Sequence, residues 1–316
     1  MKHISYSRQS TYLRCPYSHY LSYVLNLTPK KPSRPLTFGS DFHKLLEFRG
    51  DKKQCSIIIK AIREKYYEIP AAWQADLGEN YVEDLKTIFM DYMKIYKDAP
   101  LPTVTEKRFE LPLGNIDGEE ILFIGVIDGL YEDEDGVRIE EHKTFNNRPN
   151  LATLVMNTQK CLYAKAVQSI YGSLPREVIW DYIKSTPAEE PIWLEKSQKF
   201  STAKSDKITP YSYIRAAKRR GLEKAEILQN AKAYEGNIYN YFFRVPMSFT
   251  EQMVERVWDG FKYTAQEIIR NGEKNKTMNL TRDCSWCDFF PICQAELTGG
   301  DVNYTIEKDF KQKEER

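Results

Sequence analysis

Three things are scarce or missing in this chain: an excess of charge of either sign, a long apolar run and a nucleotide-binding glycine loop. Lys and Arg number 46 against 45 Asp and Glu, a net charge of +1. No global field attracts phosphate, so nucleic-acid binding would have to rest on local basic patches. No apolar run approaches the length of a membrane span, and Met1–Tyr6 lacks the apolar stretch of a secretion signal. A cytoplasmic protein is expected. No GxxxxGK[ST] is present, which excludes a P-loop motor, and there is no internal repeat.

What remains is the composition of an ordinary globular protein. The 316 residues are 41% hydrophobic and 29% charged, enough for one large domain or two smaller ones. Aromatic residues are plentiful, with 21 Tyr. The six cysteines are Cys15, Cys55, Cys161, Cys284, Cys287 and Cys293. Without a secretion signal, their close C-terminal spacing reads as metal or cluster ligation rather than as disulfides.

Taken in order, Ser7 to about Val24 predicts a helix bent at Pro16, followed by a basic, proline-rich loop. Helices are expected at Gly39–Phe48, Lys53–Lys65 and Ala72–Tyr96. The period then changes to that of strands at Thr103–Leu113, Glu119–Leu130 and Val137–Lys143, a three-stranded antiparallel meander. A helix over Asn150–Tyr171, a strand over Arg176–Ile183, a strand over Tyr239–Phe249 and a helix over Glu251–Arg270 follow. Residues 196–236 look inserted. They carry Lys196, Lys199, Lys204 and Lys207 and then a helical piece with Arg215, Lys218, Arg219 and Arg220; with Phe200, Tyr211 and Tyr213 this suits either phosphate and base contacts or a solvated, flexible insertion. The charged end, Glu307–Arg316, reads as disordered.

The chemistry concentrates in one hairpin. Gly125–Tyr131 and Val137–Thr144 are joined by the acidic turn Glu132–Gly136. Asp128 interrupts an apolar run, where an ionised carboxylate is costly unless paired or metal-bound. Glu141 and Lys143, two apart, project from the same face of their strand. Two carboxylates beside an ammonium make a hard-oxygen metal site suited to phosphodiester hydrolysis. Gln159 and Tyr163 share one face of the next helix, and His43 sits at the edge of an earlier helix's apolar face. Cys284-x-x-Cys287 and Cys293 supply three ligands of the four that an all-cysteine zinc site or a cubane cluster needs. Cys15 is the natural fourth, whereas Cys55 and Cys161 sit in apolar helices and read as core residues.

Taken together, Gly39-x-x-x-His43, Gly125-Val-Ile-Asp128, Ile139-Glu-Glu141-His-Lys143 and Gln159-x-x-x-Tyr163 resemble the PD-(D/E)xK nucleases of the RecB-like family. Cys15 with Cys284, Cys287 and Cys293 is similar to that family's iron–sulfur branch, which includes the AddB nuclease domain, CRISPR adaptation exonucleases and phage relatives. The second motif here carries Glu141 where Asp is common.

The resemblance implies an α+β, restriction-endonuclease-like mixed sheet flanked by helices. It implies that His43, Asp128, Glu141 and the His142 carbonyl hold Mg2+ or Mn2+, that Lys143 acts on the attacking water or the transition state, and that Gln159 and Tyr163 orient the strand or the lysine. It also implies a [4Fe-4S] cluster on the four cysteines. The division follows: residues 1–102, a helical region with Cys15 and His43; 103–195, the nuclease core; 196–236, a basic insertion; 237–300, a strand, a helix and the cysteine cluster; 301–316, a charged tail.

The expected activity is a DNA exonuclease preferring single-stranded ends, in repair, recombination or phage DNA processing. Its expected partners are DNA and either a second copy or a recombination or replication protein, in the host cytoplasm if phage-encoded. Two other classes stay open: a non-catalytic nucleic-acid-binding protein, against which Asp128, Glu141 and Lys143 speak together, and a zinc-stabilised interaction domain of a replication or packaging complex.

Overall fold

The structure is a computed structural model that describes residues 2–203 and 205–313. Lys204 and Glu314–Arg316 lie outside the described residues. The chain opens with β1 (Lys2–Ser5), and the Ser5 hydroxyl caps α1 (Tyr6–Arg14) by accepting the Arg8 N–H at 3.1 Å. Pro16 starts a new helix, α2 (Pro16–His19), which continues as a π-turn to Val24, so the expected bent helix is three pieces. After β2 (Leu27–Pro29) come α3 (Arg34–Glu47), α4 (Lys52–Glu68), α5 (Ala71–Leu77) and α6 (Tyr81–Ile95). The expected 72–96 helix is broken at Gly78, whose φ of +104° ends α5 in a conformation that glycine adopts without a Cβ clash.

The meander is present as β3 (Val104–Ile116), β4 (Glu119–Asp133) and β5 (Gly136–Phe145). The expected Asn150–Tyr171 helix is shorter. Leu151–Met156 is a 3-10 turn, and Asn157 Oδ1 accepts the Gln159 N–H at 2.9 Å where α7 (Gln159–Tyr171) begins. There follow β6 (Glu177–Lys184), the short hairpin β7 (Trp193–Leu194) and β8 (Lys199–Phe200), α8 (Pro210–Arg219), α9 (Lys224–Ala231), β9 (Phe242–Pro246) and α10 (Glu251–Asn271). The chain closes with α11 (Phe290–Thr298), α12 (Val302–Asp309) and β10 (Phe310–Gln312).

The main sheet runs β1-β4-β5-β6-β9, with β3 along the other edge of β4. β1 is parallel to β4 and β5 to β6, and the remaining pairs are antiparallel. This is the expected mixed α+β sheet flanked by helices. The register shows why it can host a site. On one edge of β4, β1 pairs as far as Ser5↔Ile124 and β5 begins at Gly129↔Glu140. Residues 125–128 therefore face a notch where the two neighbours part.

α7 and α10 bury Leu162, Val167, Phe261 and Ile268 against one face of the sheet. The helices α3 to α6 build a second core around Phe38, Phe42, Leu85 and Tyr92, which reaches Ile183 and Phe242 on the other face. Each fully buried large apolar side chain contributes about 1.5–3 kcal/mol.

Two expectations are corrected. The insertion is folded: Phe200 and Tyr213 pack with Ile208, Ala217 and Ile227 in a small core of their own, so neither is an open stacking platform. Several of its cations are paired, Arg215 with Asp91 at 2.5 Å, Lys207 with Glu189 at 2.9 Å and Arg219 with Glu190. The charged tail is ordered through Lys313. β10 pairs antiparallel with β2, and Phe310 is buried against Phe289, an apolar anchor that offsets the ordering cost of its charged neighbours.

Candidate active site

The notch between β1 and β5 releases backbone groups from the ladder, and the site's own carboxylates take them up. The His142 N–H donates to Asp128 Oδ2 at 2.8 Å, and the Asp128 N–H donates to Glu141 Oε1 at 3.3 Å. Gly125 is required just upstream because the Phe109 ring crosses where its Cβ would be.

His43 reaches this point from α3. Gly39, one turn earlier, faces Thr144 of β5, and a Cβ there would stand 3.3 Å from the Thr144 hydroxyl. That close approach lets α3 lie on the sheet and brings His43 Nδ1 to 3.3 Å from Asp128 Oδ1. Burial pulls the imidazole pKa down, but the hydrogen bond and charge of Asp128 outweigh it and the net shift is upward. For Asp128 burial acts upward, and His43 followed by the other nearby cations brings the net shift down.

A residue that sequence reasoning missed joins them. Glu106 lies on β3 opposite Asp128, and one ligand atom each from His43, Glu106 and Asp128 come within 4.8 Å of one another. The β3–β4 register runs unbroken from Thr105↔Gly129 to Lys107↔Ile127, which sets Glu106 opposite Asp128, with its backbone at φ +49°. Burial first, then the Asp128 charge, raises its carboxyl to about 7. In sequence Glu106 reads as a polar residue at the start of a strand; only the strained backbone turns it inward.

The other expected residues gather on the opposite side of Asp128. Glu141 is buried, and burial with the Asp128 charge raises its carboxyl. Lys143 Nζ lies 3.3 Å from Glu141 Oε2, donates to Gln159 Oε1 at 3.0 Å and stands 5.3 Å over the Trp180 ring. Tyr163, one turn beyond Gln159 on α7, packs edge-on to Phe109, and burial raises its phenol. His142 brings its backbone to Asp128, while its ring faces the far side of the sheet, 3.8 Å from Asp181 and with a lowered pKa of about 4 through burial.

On that far side lies a buried charge network. Arg49, just past α3, reaches Glu140 at 2.9 Å, and Arg244 of β9 reaches Glu140 at 2.9 Å and Asp181 at 3.2 Å. Tyr92 donates to Asp181 at 2.6 Å and Tyr131 to Glu140 at 2.7 Å. The network ties the helical half to β5 directly behind the carboxylates.

Far apart in sequence, Cys15, Cys284, Cys287 and Cys293 line one cavity of about 230 Å³ with apolar walls from Met278, Leu280 and Phe290. Burial and then the other three thiols raise Cys293 to about 11. Four cysteines on one cavity wall form a set of soft donors of the kind that could hold a metal ion or cluster on deprotonation. Cys55 and Cys161 are buried elsewhere, as expected.

Comparison with known proteins bears on the family. Over 158 residues the chain is 34% identical to one of the ATP-dependent helicase/nuclease subunits of Lacticaseibacillus paracasei (strain ATCC 334), covering 48% of this chain and 11% of that protein. The same figures hold for the corresponding protein of Lacticaseibacillus casei (strain BL23). The chain therefore spans about a tenth of the length of these curated relatives. The crystal structure of SSO0001 matches with a TM-score of 0.34 and 12% identity, over 93% of this chain and 87% of that one, a likeness too distant to bear on function. The model of the PD-(D/E)XK nuclease superfamily matches residues 3–294. The chain belongs to the PD-(D/E)XK nuclease superfamily.

Proposed function

We propose that the protein is a divalent-metal-dependent DNA exonuclease of the RecB-like branch that prefers single-stranded ends. The observation that carries this reading is the meeting of His43, Glu106, Asp128, Glu141 and Lys143 at one notch in the sheet. The donor set is hard and mostly anionic, which fits Mg2+ or Mn2+ held by Asp128 and Glu141 with His43, the His142 carbonyl and Glu106. A bound ion would lower the pKa of its water and offset charge on the scissile phosphate. Lys143, held by Glu141 and Gln159, is placed to orient or deprotonate the attacking water and to stabilise the developing charge. Gln159 positions the lysine, and Tyr163 closes the notch behind it.

The thiol-lined cavity suits a [4Fe-4S] cluster with a structural role. It joins the α1–α2 region to the C-terminal segment, so the energy of binding is energy of folding. The relatives that match are named as parts of helicase/nuclease assemblies, so a protein partner in recombination or repair belongs to the reading.

Digestion of end-labelled single- and double-stranded DNA with and without Mn2+ tests the function. Metal-dependent shortening, faster on the single strand, is expected; DNA left intact in Mn2+ and Mg2+ alike would refute it.

A further inference from the structure

A groove of about 980 Å³ runs along the open edge of β9, between that strand, the end of α6 and the inserted helices α8 and α9. Tyr96, Tyr211, Tyr239 and Phe243 line it, and Tyr239 is 67% exposed. Its rim is cationic. Lys232 is exposed, Lys94 lies 5.4 Å from the Tyr211 ring centre, and Arg148 lies 4.3 Å over Phe243 while donating to the Tyr239 carbonyl at 2.8 Å. Among the described lining residues the single acid is Glu235.

The groove meets the sheet face that carries Lys143 at Phe243. Lys143, Tyr182 and Phe243 are register partners on β5, β6 and β9. They share one face, two strand spacings or about 10 Å from end to end. Phe145, two residues beyond Lys143, has its ring 5.5 Å from Phe243, and Tyr182 stacks on Phe243 at 4.9 Å. All three rings are buried, so they fix the spacing from Lys143 to the groove, and Arg148, exposed and three residues beyond Phe145, is the surface link to Tyr239.

We propose that this groove is a subsite for the bases of a single-stranded DNA segment adjoining the scissile phosphate. The bases stack on Tyr211 and Tyr239, and the backbone lies along Lys232 and Arg148. Stacking needs unpaired bases, so the subsite selects single strands without reading sequence. The inference rests on the nuclease reading for the identity of its ligand and names the surface that gives the strand preference.

The test is fluorescence anisotropy of fluorescein-labelled (dT)12 on the full chain without divalent metal, repeated in Mn2+ for cleavage. Tyr239→Ala is expected to weaken binding about 5- to 100-fold, as for loss of one stacking platform. Tyr239→Phe is expected to restore it, and Lys232→Glu to weaken it independently. Exposure of both side chains keeps these variants folded. Wild-type affinity in both Tyr239→Ala and Lys232→Glu, or no binding by the wild type, would overturn the proposal. Tyr239-dependent binding with no cleavage in Mn2+ would support the subsite and overturn the nuclease reading instead.

Discussion

Asp128 and Glu141 meet where β4 and β5 stop pairing, the Asp128 N–H donating to Glu141 Oε1 at 3.3 Å. Two buried carboxylates in that position repel each other, and without a cation the pair favours keeping one proton between them. A divalent cation replaces the proton.

Proton and metal should therefore compete. Glu141 is raised above the ordinary carboxylate value of 4.5 toward about 8, so without metal its contribution to stability is present at low pH and lost as pH rises through that window. Added Mg2+ is expected to raise the melting temperature by several degrees at pH 8 and very little at pH 5. Equal shifts at both pH values would contradict a proton-linked site.

Glu106 offers a trade between strain and function. Its φ of +49° costs about 1 kcal/mol in any residue but glycine. Glu106→Gly should raise the metal-free melting temperature while weakening Mn2+ affinity by about tenfold, as for loss of a supporting ligand. Calorimetric titration with Mn2+ reads the second effect; unchanged affinity would remove Glu106 from the site.

Behind the sheet, Arg49→Met leaves Glu140 with Arg244 and Tyr131 alone. Breaking a buried ion pair costs about 3 kcal/mol, so the urea midpoint should fall accordingly. Arg49 anchors the end of the helix that carries His43, so metal affinity should fall as well. A variant as stable as wild type would show that the network is dispensable.

Cys284→Ala should remove visible absorbance, bound iron and solubility together, because the cavity joins both ends of the chain. A soluble, coloured variant would contradict the clasp. A colourless wild type from anaerobic purification that carries zinc would replace iron with zinc.

Much of this site was legible in the sequence because its residues break local rules. Asp128 stands in an apolar run, and Glu141 and Lys143 repeat at the period of a strand. What stayed hidden depends on long-range geometry. β1 is four polar-flanked residues whose pairing with β4 has no local signal. Glu106 enters through a left-handed backbone conformation at one strand position, and Phe200 and Tyr213 find a small core within the insertion. The tail's charge outweighed Phe310 in the reading, although that one buried ring is what docks it.

The most direct measurement is single-turnover cleavage of end-labelled single-stranded DNA at saturating Mn2+, by wild type, Asp128→Asn and Lys143→Ala. Lys143→Ala is expected to slow cleavage about 10²- to 10⁴-fold, as for loss of a group acting on proton transfer, and Asp128→Asn to do so at least as strongly, both with the circular-dichroism spectrum of the folded wild type. Variants that cut as fast as wild type would contradict the site.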